Sequence, residues 1–563
     1  MKLLCVLCLL CGLVFPALAL EREAFTFTKY DLDVRVEPEQ HRLAVRGKIW
    51  LRNDSTSTQK NVALQISSTL VWRSISIAGT AVEFARHEYT SDIDHTGALS
   101  EAVVTLPREI LPGGTLEVEV GYEGTIPLNA SRLIRIGVPE EKAKQADWDQ
   151  ISKAFTAVRG IGYVTWYPVA TEAANLSEGG SVGETVGRWR ARQADAAMDA
   201  RFESSVVEQM LFSGSPAQID AKSQAANLAG FRISRLGLGV PTFAIADYQK
   251  LVPKDGPSVY YLVGQEEAGK SYADAVAVID VGIPALGAEA EKLRIVGLPD
   301  PDAAPFVTAG MMLCPLKLPL TNEAMMSLAY AKARSMVSSP RAWIQEGLAH
   351  YGQVAFIENE AGREAALDYL HAHTGVLIAA EKAVADKGLP ANWPVAHSLI
   401  NAPDGLYLET KAMYVWWMLR DMLGKLPAEA LLNYRVADDK DAAYLQRLIE
   451  KTTHRDLEWF FDDWVYRDRG LPDFRVDSVY PRELVSAGYM VTVTIENLGE
   501  AGAEVPITLR IASGDITKRL EVRGKSKASL RIETPLLPQE VVVNDDSVPE
   551  SDVSNNRYKL QGH

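Results

Sequence analysis

Glu346 and His350 stand four positions apart in the segment Ser339 to Gln353, SPRAWIQEGLAHYGQ. On a helix this spacing puts the carboxylate and the imidazole on one face, where both could bind one metal ion. The usual catalytic zinc helix, HExxH, differs: two histidines four apart bind zinc, and the glutamate between them acts as general base. None of the nine histidines of this chain has another four positions away. The segment therefore holds part of a metal-site pattern and lacks the histidine pair.

The stretch Trp343 to Tyr351 resembles the W-L-x-E-G-[FL]-A-x-Y helix of the membrane alanyl aminopeptidase family, whose members are gluzincin metallopeptidases. In that family the glutamate is the third zinc ligand, so the resemblance implies Glu346 at this position. Counting back by the family's spacing puts the two histidine ligands at Glu323 and Ser327 and the general base at Ala324. None of these three side chains can fill the role that the family gives it.

Two further motifs of that family are altered as well. Its G-x-M-E-N loop binds the amino terminus of the substrate through the glutamate. The matching segment here, which includes Gly310, has Met312 in place of that glutamate. Its Y-x-K-G-A motif supplies a tyrosine that stabilises the oxyanion. Aligning Lys411 with the lysine of that motif places Glu409 at the tyrosine, where a carboxylate would repel the oxyanion.

These changes predict a protein without zinc and without peptidase activity. A catalytic zinc needs three protein ligands, and Glu346 alone would leave the ion mostly hydrated and weakly held. Loss of the metal removes both the activated water and the Lewis acid. Loss of the base or of the oxyanion donor costs on the order of 100-fold or more in rate each. We therefore expect a pseudopeptidase that uses no cofactor and acts by binding a peptide or a protein of unknown identity.

Two consequences follow for the remaining residues. Glu346 without a cation must find a hydrogen-bond donor or lie near solvent, because a buried unpaired charge is costly. If Glu346 is buried, we expect its pKa to be raised and its replacement by Gln to be neutral or stabilising. If Glu323 and Ser327 occupy the lost histidine positions, replacing both by histidine should complete a zinc triad with Glu346.

The alternative is an active zinc aminopeptidase with a rebuilt metal site. Glu346 and His350 would supply two ligands, and a third would come from His371, His373 or His397. His371 and His373 diverge by about 200° if both lie on a helix, so they cannot face one ion together. His350 also fills an ordinary variable position of the motif.

Two other motif matches point to different classes of function. Gly264 to Ser271 (GQEEAGKS) fits the P-loop pattern and follows the apolar run Val259 to Val263. Glu266 and Glu267 would set carboxylates where phosphates must lie, so nucleotide binding is the less favoured reading. Gly179 to Gly183 (GGSVG) fits the nucleophile elbow GxSxG, but no apolar strand leads into it and the composition predicts a loop.

Composition describes a globular chain that is too long for one core. Of its 563 residues, 47% are hydrophobic and 23% are charged, which excludes wholesale disorder. A net charge of -15 argues against nucleic-acid phosphates or anionic lipid as partners. After the first twenty residues no apolar run is long enough to cross a bilayer.

The first residues predict export. Met1 to Ala19 holds one lysine, an apolar run and then Ala17-Leu18-Ala19, the small-x-small form of a signal-peptidase site. We expect cleavage after Ala19 and a secreted or periplasmic protein; an uncleaved N-terminal anchor is the alternative. The mature chain then holds one cysteine, Cys314, so no intramolecular disulfide can stabilise it.

Periodicity divides the mature chain into three parts and predicts a multi-domain α+β fold. Residues 20–250 alternate as in an antiparallel β domain, with residues 140–201 as a polar, helix-prone insertion. Residues 251–470 are mostly helical, as in a thermolysin-like catalytic domain, with helices predicted over 321–336, 342–358 and 409–423. Residues 471–563 alternate again and predict a small β-sandwich.

Overall fold

The computed structural model describes residues 20–178, 181–206, 209–218, 228–237, 239–254, 256–287, 292–386, 398–400, 402, 405–485 and 487–560. It is a multi-domain α+β protein with N-terminal β sheets, a helical middle region and C-terminal strands. The predicted fold class is confirmed. The signal-peptide prediction for residues 1–19 lies outside the described residues.

The N-terminal region is built mostly of strands, with three short helices between the eighth and tenth. Its elements are β1 Phe25–Glu37, β2 Arg42–Asn53, β3 Gln59–Ser67, β4 Leu70–Ile77, β5 Thr80–Ala81, β6 Phe84–Thr90, β7 Ala98–Ile110, β8 Thr115–Thr125, α1 Ser131–Arg135, α2 Glu140–Ala146, β9 Thr156–Val158, α3 Ser181–Arg192, β10 Ala197–Ser204, β11 Gln209–Phe212, β12 Ser215–Ala217, β13 Leu228–Ile233 and β14 Phe243–Ala246.

These strands form one large sheet and two small ones. The large sheet has the order β12-β13-β10-β1-β2-β8-β4-β5, and the small sheets are β3-β7-β6 and β11-β14-β9. Most neighbours are antiparallel, as alternation predicts, but β1 and β10 run parallel. The residues between β8 and β10 supply the crossover that a parallel pair requires.

The middle region places helices against a five-stranded sheet. Its elements are β15 Gln249–Leu251, β16 Ser258–Tyr261, α4 Glu266–Gly282, β17 Arg294–Leu298, β18 Phe306–Thr308, β19 Met311–Pro315, α5 Asn322–Ser335, α6 Ala342–Asp386, α7 Gly405–Leu423, α8 Ala428–Asn433, α9 Tyr444–Thr453 and α10 Glu458–Phe461, which runs into a π-helical turn over Asp462–Tyr466. The sheet order is β15-β16-β17-β19-β18.

The span α6 holds two consecutive helices, and the first of them, which ends at Gly362, lies close to the predicted 342–358. The backbone of Gly362 is not helical, and the second helix follows it directly to Asp386. Gly362 has φ 86, a backbone conformation that glycine adopts without steric cost. The first half of α6 packs against α5 and α7, and the second half turns toward the C-terminal strands.

The C-terminal region contains two antiparallel sheets. Its strands are β20 Phe474–Glu483, β21 Tyr489–Asn497, β22 Ala503–Ile511, β23 Gly514–Val522, β24 Lys527–Thr534, β25 Glu540–Val543 and β26 Arg557–Lys559. The sheets have the orders β20-β21-β24 and β23-β22-β25-β26. Alternate residues of β21 and β22 are buried, as expected for the inner faces of a sandwich.

Buried apolar side chains of the described residues form three clusters. One fills the N-terminal sheets, a small one lies where the N-terminal region meets the five-stranded sheet, and the largest runs from the middle helices into the C-terminal strands. Within the described ranges, no helix combines the length and apolar composition needed to cross a bilayer.

Candidate functional site

Helices α5, α6 and α7 bring Glu346, His350 and Glu409 close together. Thr321 caps α5 by accepting a hydrogen bond from the Ala324 amide at 3.2 Å. A short connection through Pro340 then starts α6. Gly347 lets α7 approach closely, because a Cβ at this position would lie 2.7 Å from the Ala412 Cβ.

Both oxygens of the Glu346 carboxylate are bound by side chains of α5. The Tyr330 hydroxyl donates to Oε2 at 2.5 Å, and the Arg334 Nε donates to Oε1 at 3.2 Å. Arg334 Nη2 also lies 3.2 Å from Oε1. Glu346 is only 7% exposed and Arg334 only 4%. Glu346 therefore has an internal cation where the resemblance implies zinc.

The expectation that burial raises the pKa of Glu346 was wrong. Burial alone would raise it, but the charge of Arg334 and the hydrogen bond from Tyr330 hold the pKa below its usual value. Arg190 of α3 and His350 add smaller effects in the same direction. The carboxylate is ionised and paired, so replacement by Gln is no longer expected to be neutral.

Glu346 meets α5 beyond the positions that the family's spacing assigns to the zinc ligands. Tyr330 and Arg334 are themselves four apart and lie seven residues after Glu323 and Ser327, about 10 Å further along the helix axis. All four positions share one helix face. Within the described residues the hydrogen-bond partners of Glu346 on α5 are Tyr330 and Arg334, which the sequence interpretation missed. Their repeat of the i, i+4 spacing on that face was the signal that could have found them.

Glu323, Ala324 and Ser327 instead line a separate cavity of about 470 Å³, which we call the Met312 pocket. Glu346 does not border this pocket. Its remaining lining comes from α2, from Tyr272 of α4, from the loop 301–305 and from β19 through Lys317, Pro319 and Thr321; the full set is Lys142, Gln145, Ala146, Tyr272, Pro301, Asp302, Ala303, Ala304, Pro305, Met312, Cys314, Pro315, Lys317, Pro319, Thr321, Glu323, Ala324 and Ser327.

Met312 lies on β19 at the floor of this pocket and is 1% exposed. Gly310, just before the strand, has φ 65 and forms the turn between β18 and β19. Cys314 is the next floor residue that faces the same way, and burial raises the pKa of its thiol to about 12. The floor is therefore apolar and offers no carboxylate to an amine.

Glu409 of α7 faces His350 of α6. His350 Nε2 lies 3.5 Å from Glu409 Oε2. On the other side of the ring, Nδ1 lies 2.9 Å from Gln353 Oε1. The Gln353 amide nitrogen donates to the Met326 carbonyl at 3.0 Å, which leaves its oxygen to accept from Nδ1. The imidazole is thus held between two acceptors.

This arrangement favours the charged form of His350. Burial alone would lower its pKa, but the hydrogen bond and charge of Glu409, the charge of Glu346 and the bond to Gln353 raise the pKa above its ordinary value. The Tyr330 ring packs on the imidazole with centroids 4.8 Å apart. Glu409 therefore serves as an ion-pair partner of His350 in this site.

The tyrosines near Glu409 point away from it. Tyr407 donates to buried Asp468, which also pairs with Lys411, and Tyr414 bonds Thr374 at 2.6 Å. Lys411 is 1% exposed and also donates to the Gly470 carbonyl at 3.2 Å. This part of α7 joins the helix to the segment that leads into the C-terminal strands.

Two of the three histidines proposed as the third ligand of a rebuilt metal site have other partners. His371 lies 3.6 Å from Asp546 of the C-terminal region, and His373 Nδ1 bonds the Tyr369 carbonyl at 2.7 Å. His397 lies outside the described residues. Among the residues that the structure describes, no three His, Cys, Asp or Glu side chains are grouped so that they could hold a metal ion.

The donor set around Glu346 does not fit zinc. Zinc would have to share Glu346 with the Arg334 cation, and the Tyr330 hydroxyl donates to the remaining oxygen. A second cation at this distance would be repelled, and the neighbouring His350 is itself bound to Glu409 and Gln353. The chemistry available here is ion pairing and proton binding.

The P-loop match does not form a phosphate-binding loop. In the P-loop match, α4 already begins at Glu266, and Lys270 bonds Glu266 along the helix at 2.9 Å. The Gln265 side chain accepts a hydrogen bond from the Leu262 amide and donates one to the Leu298 carbonyl. Gly179 and Gly180 of the GxSxG match lie outside the described residues, and Ser181 begins α3.

Comparison with known proteins finds M1 zinc metallopeptidases among the structural neighbours. Three solved structures from Deinococcus radiodurans are similar: an M1 zinc metallopeptidase, a point mutant of it, and that mutant bound to the substrate Tyr-Ser-Ala. Their TM-scores are 0.48, 0.46 and 0.45, each at 14% identity over 80% of this chain and 96% of that chain. No protein-family model and no curated protein matches the sequence. Similarity this low says nothing about metal binding, substrate or activity. Those questions depend on the geometry of the site.

Proposed function

We propose that this chain is an exported pseudopeptidase with an aminopeptidase-like fold, which binds a peptide or a protein segment without cleaving it. The observation that carries the proposal is the Glu346 carboxylate, whose two oxygens are bound by Tyr330 and Arg334. A carboxylate committed to an internal cation is a poor zinc ligand. Without the metal, neither an activated water nor a Lewis acid is available for hydrolysis.

The general base is missing in either register of the helix. The family's spacing places the base at Ala324, between Glu323 and Ser327. If Tyr330 and Arg334 stand at the ligand positions, the base falls on Ala331. A methyl group cannot accept a proton from water, so hydrolysis lacks a base as well as a metal.

The oxyanion donor is absent too. Glu409 presents a carboxylate that pairs with His350, and the hydroxyls of Tyr407 and Tyr414 are bound elsewhere. These contacts support a site without hydrolytic activity. Export rests on the N-terminal residues Met1 to Ala19, and the net charge of -15 disfavours nucleic acid as the partner.

The test is an assay of the purified mature chain for bound metal and for hydrolysis of leucine p-nitroanilide. We expect no stoichiometric zinc after purification without chelators and no turnover above the uncatalysed rate. Added zinc should not change either result. Turnover that a chelator abolishes would contradict the proposal and favour the active zinc aminopeptidase.

A further inference from the structure

Lys411 of α7 and Asp468, in the segment that leads into β20, are in direct contact inside the protein. Their side chains are 1% and 0% exposed. Lys411 Nζ also donates to the Tyr407 hydroxyl and to the Gly470 carbonyl, each at 3.2 Å. The Tyr407 hydroxyl in turn donates to Oδ2 of Asp468, while Nζ contacts Oδ1. An amine and a carboxyl group are thus held against each other, beside a hydroxyl that contacts both.

The surroundings of this pair exclude solvent. The rings of Trp464 and Tyr407 lie with their centroids 5.2 and 5.6 Å from Nζ, and both residues are buried. A lysine amine that is desolvated in this way is an activated nucleophile. Asp468 has φ 46, which is unfavourable for a residue other than glycine, so the surrounding structure holds its position.

We propose that Lys411 and Asp468 form an intramolecular isopeptide bond, an amide between Nζ and Cγ. Two reacting groups that the fold keeps in contact need no further encounter, which is the main entropic barrier to such a condensation. The amide also removes both charges from the interior, where an ion pair would keep them at a desolvation cost. The proposal does not depend on the function proposed above.

The reaction is a condensation that needs no other reactant. The Tyr407 hydroxyl accepts from Nζ and donates to Oδ2, so it provides a route for protons from the lysine to the carboxylate. The first proton gives an amine and a carboxylic acid. The electron pair of Nζ then attacks Cγ and forms the C–N bond. A second proton follows the same route, the C–Oδ2 bond breaks, and Oδ2 leaves as water. Oδ1 remains as the amide oxygen, and one hydrogen remains on Nζ.

The bond closes residues 411–468 into a covalent ring. It ties α7, which carries Glu409, to the segment that leads into the C-terminal strands. In the part of the chain that the structure describes, Cys314 is the one cysteine and is free, so no disulfide joins these regions. A cross-link of this kind stabilises the fold by restricting the unfolded chain.

A buried ion pair is the ordinary explanation of the same contacts. Asp468, Tyr407 and Gly470 supply three acceptors, which match the three hydrogens of an ammonium group. The ion pair and the amide differ by one water molecule in mass. They also differ toward trypsin, which cleaves after a free lysine but not after an acylated one.

The test is mass spectrometry of the denatured mature chain, intact and after trypsin digestion. We expect the intact mass to be lower, by one water molecule, than its sequence requires. Residues 388–420 should be recovered uncleaved at Lys411 and joined to the dipeptide Asp468-Arg469. The exposed pair Lys317 and Asp302, 2.8 Å apart, is the internal control and should give linear peptides.

Three variants locate the reaction. Lys411→Arg keeps the cation but cannot form this amide, so its intact mass should equal that of its sequence. Lys317→Arg, the matched control, should lose one water molecule like the parent. Tyr407→Phe removes the proton route, and in a time course after synthesis it should form the bond about 100-fold more slowly. The mass of the parent decides the proposal even if a variant does not fold.

A parent mass equal to that of its sequence, with a linear peptide that ends at Lys411, would overturn the inference and leave an ion pair. A loss of water found only in linear peptides would overturn it too. Bond formation at the parent rate in Tyr407→Phe would overturn the route through the hydroxyl.

Discussion

The Arg334 guanidinium and the Glu346 carboxylate form an ion pair of 3.2 Å between helices α5 and α6, with side-chain exposures of 4% and 9%. An ionised carboxylate at such depth is unfavourable unless a cation and hydrogen-bond donors surround it. Arg334 and Tyr330 meet this requirement from one turn of one helix. The pair therefore fixes the position of α6 on α5 by electrostatics as well as by packing.

Glu346→Gln should destabilise the protein by about 2 kcal/mol or more, because the buried Arg334 loses its carboxylate. The effect is measured as a shift in chemical denaturation followed by tryptophan fluorescence. Glu364→Gln, at an exposed position of α6, is the control and should change stability by less than about 0.5 kcal/mol.

Arg334→Met distinguishes the pair from simple loss of packing. If the two side chains act together, the double variant Glu346→Gln with Arg334→Met should cost less than the sum of the single changes. Strictly additive effects, or a neutral Glu346→Gln, would show that the ion pair does not contribute to stability.

Zinc binding distinguishes the two registers on α5. Tyr330→His with Arg334→His would place two histidines, four apart, against Glu346 and complete a zinc triad. Zinc at a hundred times Kd should then stabilise this variant by about 2.7 kcal/mol, seen as a higher Tm. The family's spacing predicts the same for Glu323→His with Ser327→His, whereas the observed partners of Glu346 are Tyr330 and Arg334, two turns further along α5.

The two double variants are therefore compared in parallel, with the parent as the control. A zinc-dependent rise in Tm only for the Glu323 and Ser327 variant would restore the alignment from sequence spacing. A rise for neither variant would contradict the position assigned to Glu346 relative to Tyr330 and Arg334.

Glu409→Gln should lower the pKa of His350. Burial lowers the pKa of His350, and the Glu409 carboxylate is the main group that raises it. Removing the charge of Glu409 should therefore lower this pKa. The change is measured by NMR titration of histidine-labelled protein. The other histidine signals and the Glu364→Gln variant serve as controls, and an unchanged or raised pKa would show that Glu409 does not face the ring.

Glu550 should make the protein less stable as pH rises. It is 2% exposed in the C-terminal region, and burial raises its pKa to about 8 despite hydrogen bonds from the Phe474 amide and from Asn544 and Asn556. The folded state keeps a proton that the unfolded state releases near pH 4.5. The contribution of the Glu550 proton to stability is therefore fully present below about pH 4.5 and is lost as pH rises through about 8.

Glu550→Gln should remove this dependence. The difference in Tm between the variant and the parent, measured from pH 5 to pH 9, should move steadily in favour of the variant. Asp552→Asn, an exposed change in the same loop, is the control. Parallel curves for parent and Glu550→Gln would mean that Glu550 is ionised throughout this range.

Most of the fold could be predicted from periodicity. The helix predicted over 321–336 is α5, Asn322–Ser335, and the alternation at Val491, Val493 and Ile495 is β21. The helix predicted over 342–358 is the first helix of α6, which ends at the non-helical Gly362. The second helix, which runs to Asp386, was not predicted because no change in periodicity marks where it begins.

The site was harder to predict than the fold. The sequence identified Glu346, His350 and Glu409 as important positions, and all three lie together between α5, α6 and α7. The partner of Glu346 on α5 and that of His350 on α7 lie on neighbouring helices, and the packing that sets these contacts is not specified by a motif within one helix. The pKa of Glu346 was misjudged for the same reason, because its direction is set by Arg334, one helix away.

The bend at Gly362 gives α6 two attachments. Its first half carries Glu346 and His350, while in its second half Thr374 and His371 line a cavity of about 370 Å³ against residues 546–553. Further along, the Glu381 carboxylate accepts a hydrogen bond from the Leu471 amide. Two helices joined at Gly362 thus link the site to the C-terminal sheets. A chain ending after Gly470 would bare the second of these helices, which follows directly on the one that carries the site.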